Sequence, residues 1–245
     1  KRDWSSDVCS SDLDMGQGIM IFRGAANGNE APIRVITGPK TGLGKTSKLG
    51  ADPFNGEVMA WANGQLLIWD HTANGDVAPK RTLGGPNNRL NIANVEVDPI
   101  HNLLIISGGN TIKIFDRLAK GDDKPLRTIT GVRVGADMAV YPQGAKIALN
   151  IPGPGDEDRD EIAAFTPEGL ASDKAHVGVW SIYDDGPVPP MYTIAGPQGL
   201  LRQPRGLILD PKHQNLIVSD KYLNGVATYH FPELFEPETR QTAQR

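Results

Sequence analysis

Residues 68–85 read IWDHTANGDVAPKRTLGG, and the same phrase returns three times along the chain. It is IFRGAANGNEAPIRVITG at 21–38, IFDRLAKGDDKPLRTITG at 114–131 and VWSIYDDGPVPPMYTIAG at 179–196. In each copy a short apolar run ends in an aromatic residue: Phe22, Trp69, Phe115 or Trp180. A fifth run ends at Tyr229 without the phrase behind it. The aromatic residues lie 47, 46, 65 and 49 residues apart. A period near 47 in a strand-rich chain is the mark of a repeat architecture.

One unit shows how the period divides. ANVEV (93–97) leads into the turn Asp98-Pro99-Ile100-His101-Asn102. LLIIS (103–107), TIKIF (111–115) and LRTIT (126–130) follow. Each is about five residues long and is bounded by Gly, Pro, Asn or Asp, the pattern of short strands joined by tight turns. The first turn recurs as ADPFNGE, VDPIHNL, VYPQGAK and LDPKHQN. Pro presets φ there, and the Asp before it accepts backbone N–H groups. In the linker phrase the Gly of Ala-Asn-Gly-Asp is expected at positive φ. The Pro that follows (Pro32, Pro79, Pro125, Pro190) is expected at the edge of an outer strand, where a missing N–H is tolerated.

Four-stranded antiparallel units at this spacing predict an all-β chain, a β-propeller of four-stranded blades. Laid out in full, the pattern predicts two strands, three complete units and three strands, seventeen in all. A closed ring of such blades has a strand total divisible by four. The expectation is therefore an incomplete arc of about four blades from a ring of six, spanning residues 14–235, with a tail at 236–245.

The 245 residues are 39% hydrophobic and 22% charged, with 28 Gly, 19 Pro and a formal net charge of −4. This is ordinary globular composition. No basic run supplies the electrostatic footprint of nucleic-acid binding, and no apolar stretch reaches the length of a membrane-spanning helix. Residues 1–13, KRDWSSDVCSSDL, follow none of the repeat, and 3–13 resembles the translation of a sequencing adapter. The segment is set aside as foreign. Cys9, the one cysteine, lies inside it, which removes thiolate catalysis and cysteine-ligated zinc from the remaining chain. The native start is then expected upstream, so a leader for export to the periplasm or outside the cell cannot be read.

Pro204-Arg205-Gly206-Leu207 before Leu209-Asp210-Pro211, LIVSD (216–220) and Asn224-Gly225-Val226 resemble the repeat phrases of NHL-type six-bladed propellers. The likeness is to the bacterial group with ANGD-x-x-P-x-R linkers, and it extends over nearly all of residues 19–232. Two units depart from it: Tyr141 stands where the turn has Asp, and Pro190-Met191-Tyr192 lacks the Arg of Pro-x-Arg. The resemblance implies a shape that serves binding modules, scaffolds and a few lyases.

Reactive constellations are scarce. GPKTGLGKTSK (38–48) contains Gly44-Lys45-Thr46, but a phosphate loop needs Gly five positions before Gly44, where Pro39 stands. No G-x-S-x-G occurs. The long interval between Phe115 and Trp180 places an insertion at 151–176, between the second and third strands of one blade. Asp156, Asp158 and Asp160 open it like a calcium loop, but Glu161 and Pro167 occupy the positions that need Gly and Glu. Dense like charge of this kind reads first as a solvated loop; Ca2+ is the one cofactor it suggests. Asn94, Asp137, Asn150, His176, Arg205 and Asp220 are the candidates for a ligand site near the axis. Each also has a structural reading, a blade-corner Asp…Asn pair in the case of Asp220 with Asn224. The leading expectation is a non-enzymatic propeller that recognises a protein, peptide or glycan on its loop face. The alternative is a metal-dependent hydrolase or lyase with a site in the channel.

Overall fold

The computed structural model describes residues 18–44, 48–85, 90–152, 175–195 and 199–238. Those residues form seventeen strands in five antiparallel meanders. The first sheet pairs β1 (Gly18–Ile21) with β2 (Arg34–Thr37). The second is β3 (Leu49–Asp52), β4 (Glu57–Ala62), β5 (Gln65–Asp70) and β6 (Arg81–Leu83). The third is β7 (Asn94–Asp98), β8 (Leu103–Gly108), β9 (Thr111–Asp116) and β10 (Arg127–Thr130). The fourth is β11 (Met138–Tyr141), β12 (Lys146–Ile151), β13 (His176–Ser181) and β14 (Tyr192–Ile194). The fifth is β15 (Pro204–Asp210), β16 (Asn215–Asp220) and β17 (Gly225–His230). The first strands of successive sheets lie side by side, β3 against β7, β7 against β11 and β11 against β15. They are the inner strands of the arc, and the fourth strands are its rim.

In the interior blades the apolar runs are unbroken because both faces of the sheet are covered. In β8 all six residues are buried. Leu104 and Ile106 join Met59, Leu66 and Ile68 of the second blade, whereas Leu103 and Ile105 join Met138, Ile147 and Leu149 of the fourth. In β5, Leu66 and Ile68 face the third blade while Leu67 and Trp69 face the first. The second and third strands of each interior blade thus contribute one side to each of two cores. Burying one such Leu or Ile stabilises by about 1.5 to 3 kcal/mol. The repeating aromatic residue is the largest group turned toward the preceding blade; Trp69, Phe115 and Trp180 are each at most 3% exposed.

The linker phrase joins blade to blade. Trp69 Nε1 donates to Val77 O at 3.3 Å, and Trp180 Nε1 makes the same bond to Val188 O at 3.2 Å. The aromatic ring therefore pins the loop behind it. That loop sets its Gly, at φ 76° for Gly75, 53° for Gly121 and 78° for Gly186, against the rim strand of the preceding blade. Gly121 N donates to Thr82 O and Gly121 O accepts from Gly84 N, both at 2.7 Å. Gly75 and Gly186 form the same two-way bridge with Val35 and Thr37, and with Thr128 and Thr130. Asn74 and Asp185 extend it by accepting the amides of Val35 and Thr128. The repeated arginines act at the same junction. Arg81 donates to Arg117 O and Arg127 to Ile182 O, each a carbonyl of the next blade.

On the same face as these linkers, Asp98 and Asp210 close their Pro turns by accepting amides two or three residues on, and each also bonds a His ring three residues on. Tyr141 replaces this Asp in the fourth blade for a reason found 94 positions later. The chain leaving β17 runs back under that blade, and its Phe235 packs edge-to-face on Tyr141 with ring centroids 5.2 Å apart.

A Cβ added at Gly121 would meet nothing within 4 Å, so its substitution tests backbone conformation alone. Gly121→Ala is expected to lower stability by about 1 to 2 kcal/mol and Gly121→Asn by less, since Asn tolerates the left-handed region. Urea denaturation measures both. An Ala variant as stable as the wild type would show that the bridge does not hold the loop in this conformation.

Candidate functional site

The inner strands begin at one end of the arc, on the face that carries the loops between blades. Lys48, Asn94 and Asp137 occupy the same position in three successive blades, five residues before the turn proline. Their side chains reach forward to the next blades. Lys48 Nζ donates to Asn94 Oδ1 at 3.3 Å and to Ala136 O at 2.7 Å. Asn94 Nδ2 donates to Gly135 O at 3.2 Å and to Ser107 Oγ at 2.9 Å. Asp137 Oδ2 accepts Leu207 N at 2.8 Å, and Asp137 N donates to Asn150 Oδ1 at 2.9 Å. Asn94, Asp137 and Asn150 are therefore brought together in one chain of bonds that runs through four blades.

The remaining candidates lie around that chain. Arg205 sits at the bulge between Pro204 and Gly206, where β15 shifts register against β16. His176 is half-buried at the start of β13, opposite Ile151. Asp220 is buried at the corner of the fifth blade. Its carboxylate accepts the amides of Arg202, Gln203, Tyr222 and Leu223 at 2.7 to 3.1 Å. Asp156, Asp158 and Asp160 lie outside the described residues. Among the described residues no group of three or more His, Cys, Asp or Glu is placed to hold a metal ion.

Two polar groups in this region were not singled out from the sequence. Lys48 is one. The other is Glu96, midway along β7, where the equivalent positions of the other inner strands are Gly50, Ala139 and Ile208. Its side chain is part-buried, and burial first, then the charge of Asp137, pushes its pKa up to about 8. Burial also raises Asp137, against the pull of the Leu207 and Met138 amides and of Lys48. An isolated Glu between two Val residues on an inner strand was the signal available. Four buried side-chain donors have no hydrogen-bond partner among the described residues, and two of them, Trp61 Nε1 and Asn150 Nδ2, lie in this region. Both sit at the same end of a second strand, Trp61 opposite Lys48 and Asn150 opposite Asp137.

No family model matches the sequence, and no curated protein matches it. Solved structures do resemble it. A chain in the crystal structure of the mitotic checkpoint complex aligns over 87% of this chain with a TM-score of 0.57 and 14% identity. Hydrazine synthase of Kuenenia stuttgartiensis aligns over 82% with a TM-score of 0.54 and 8% identity. Both contain propellers. This chain has the β-propeller fold. At these identities the likeness extends to the fold alone. The propeller described here spans 58% and 49% of the length of those two chains.

Two variants separate the roles of the acids. Glu96 favours folding while protonated. That contribution is whole below the ordinary carboxyl value of 4.5 and is lost as pH rises through about 8. Glu96→Gln is expected to remove this loss, so that the variant gains on the wild type between pH 4.5 and 8.5 in urea denaturation. Equal pH slopes would refute the assignment. Asp220→Ala leaves four amides without their acceptor and is expected to cost about 2 to 4 kcal/mol; a loss under 0.5 kcal/mol would show that water replaces the carboxylate.

Proposed function

We propose that this chain is a non-enzymatic binding or scaffold propeller of the NHL type, which takes a protein, peptide or glycan on its loop face. One observation carries the reading. The polar side chains at the loop-face ends of the inner strands, Lys48, Asn94 and Asp137, bond the neighbouring blades, which suits a rigid platform. Arg205 and His176 stand beside that platform with different chemistries. A surface of mixed donors and acceptors set on a stiff frame suits recognition of polar ligands, because little order has to be gained on binding. The linker resemblance supports the NHL assignment.

Immobilised peptide and glycan arrays probed with the whole chain test this proposal. Saturable binding is expected to at least one class, weakened about tenfold or more by Arg205→Ala or by His176→Ala with the fold intact, and with the bound ligand recovered unchanged. Ligand recovered cleaved, together with a divalent-cation site of micromolar affinity by calorimetry, would replace the proposal with the hydrolase or lyase reading.

A further inference from the structure

The segment that leaves β17 is tied down on the face opposite the loop face. Phe231 N donates to Gln214 O at 2.9 Å, and Phe231 packs edge-to-face on Tyr192. The 3-10 turn Pro232–Phe235 follows, with Leu234 and Phe235 buried. Lys146 Nζ donates to Glu233 O at 3.0 Å and Glu236 O at 2.9 Å, so a lysine of β12 holds the carbonyls of this turn. Glu238 N then donates to Gln143 O at 2.9 Å. The segment thus leaves the fifth blade, crosses the fourth and ends against the third.

Its last tie is to His101 in the turn after β7. His101 stands between two carboxylates: Nδ1 is 2.7 Å from Asp98 Oδ2, and Nε2 is 3.3 Å from Glu238 Oε2. Tyr183, beyond β13, meets the His101 ring edge-on with centroids 6.1 Å apart and also bonds Glu238. Arg127 of β10 lies over the Tyr183 ring, 5.8 Å from its centroid. The groups that face this imidazole are therefore Asp98, Glu238 and Tyr183, with Arg127 behind the tyrosine.

Hydrogen counting decides what this arrangement does. An imidazolium has two N–H donors and a neutral imidazole has one. Only the charged ring can donate to both carboxylates. The neutral ring keeps its proton toward Asp98, the nearer and fully buried partner, and turns a lone pair toward the Glu238 carboxylate. We propose that His101 is a pH-operated clasp, which fastens the Pro232–Glu238 strap to the third blade while protonated and releases its end when the ring loses its second proton. The proton on Nε2 passes to water on release. Lowering the pH therefore fastens the strap and raising it loosens the end. Lys146 and the buried Phe235 keep the rest of the strap in place, and the opening is confined to its end.

Hydrogen–deuterium exchange of the whole chain, corrected for the intrinsic pH dependence of exchange, reads this device at the Glu238 amide. Its protection is expected to fall about fivefold from pH 5.5 to pH 8, while amides of β8 keep theirs. His101→Gln, which donates to Asp98 at any pH, is expected to abolish the fall. Glu238→Gln is expected to flatten it, since the new amide donates to the lone pair of the neutral ring. The Glu238 side chain is partly exposed, so this second variant keeps the test valid if His101→Gln fails to fold. Wild-type protection that is constant with pH, or a fall that persists undiminished in a folded variant, would overturn the proposal.

Discussion

The arc depends on a bond that three of its blades make with their predecessors rather than within themselves. A strand rim is an edge with unpaired amides and carbonyls. In three junctions a linker glycine from the next blade answers that rim with one donor and one acceptor. The glycine presents both from a left-handed conformation, and in two of the three junctions a buried Trp ring also ties the loop by a hydrogen bond. Backbone bridge and apolar core therefore act at the same place. Without the bridge the interior sheets would still be apolar on both faces, but one of the ties that set how far each turns relative to the next would be lost.

This joint explains why so much of the fold could be read from the chain. The linker phrase repeats because it is the joint. A glycine, an amide or carboxylate beside it, an aromatic residue ahead and an arginine behind each have a partner in the adjoining blade. The strands themselves came within about a residue of their expected bounds, since Gly, Asn and Asp punctuate them so strictly. TIKIF was expected at 111–115, and β9 runs to Asp116.

The candidate site was less legible for a geometric reason. Asn94, Asp137 and Asn150 could be proposed because each begins or ends a strand beside the axis. What they touch depends on blades that follow in the ring: Lys48 reaches Ala136, 88 positions on, and Asp137 reaches Leu207, 70 positions on. No local pattern encodes such pairings. Glu96 was missed because an acid between two valines on a short strand carries no local mark of its surroundings, which here include Asp137, 41 positions on. Tyr141 was visible as a departure from the turn pattern. Its explanation required Phe235, from a segment outside the repeat altogether.

Alternate residues of a single strand belong to different cores, as β8 shows with Leu103 and Ile105 on one side and Leu104 and Ile106 on the other. A deletion or insertion of one residue inside such a strand would exchange the two sets and spoil two interfaces at once. Natural drift in chain length is then confined to the places where strands end. The one long interval in this repeat obeys that restriction, because its additional residues fall between β12 and β13 and leave Ile151 opposite His176 in register. A propeller of this kind holds its strand lengths fixed and takes up new sequence between strands.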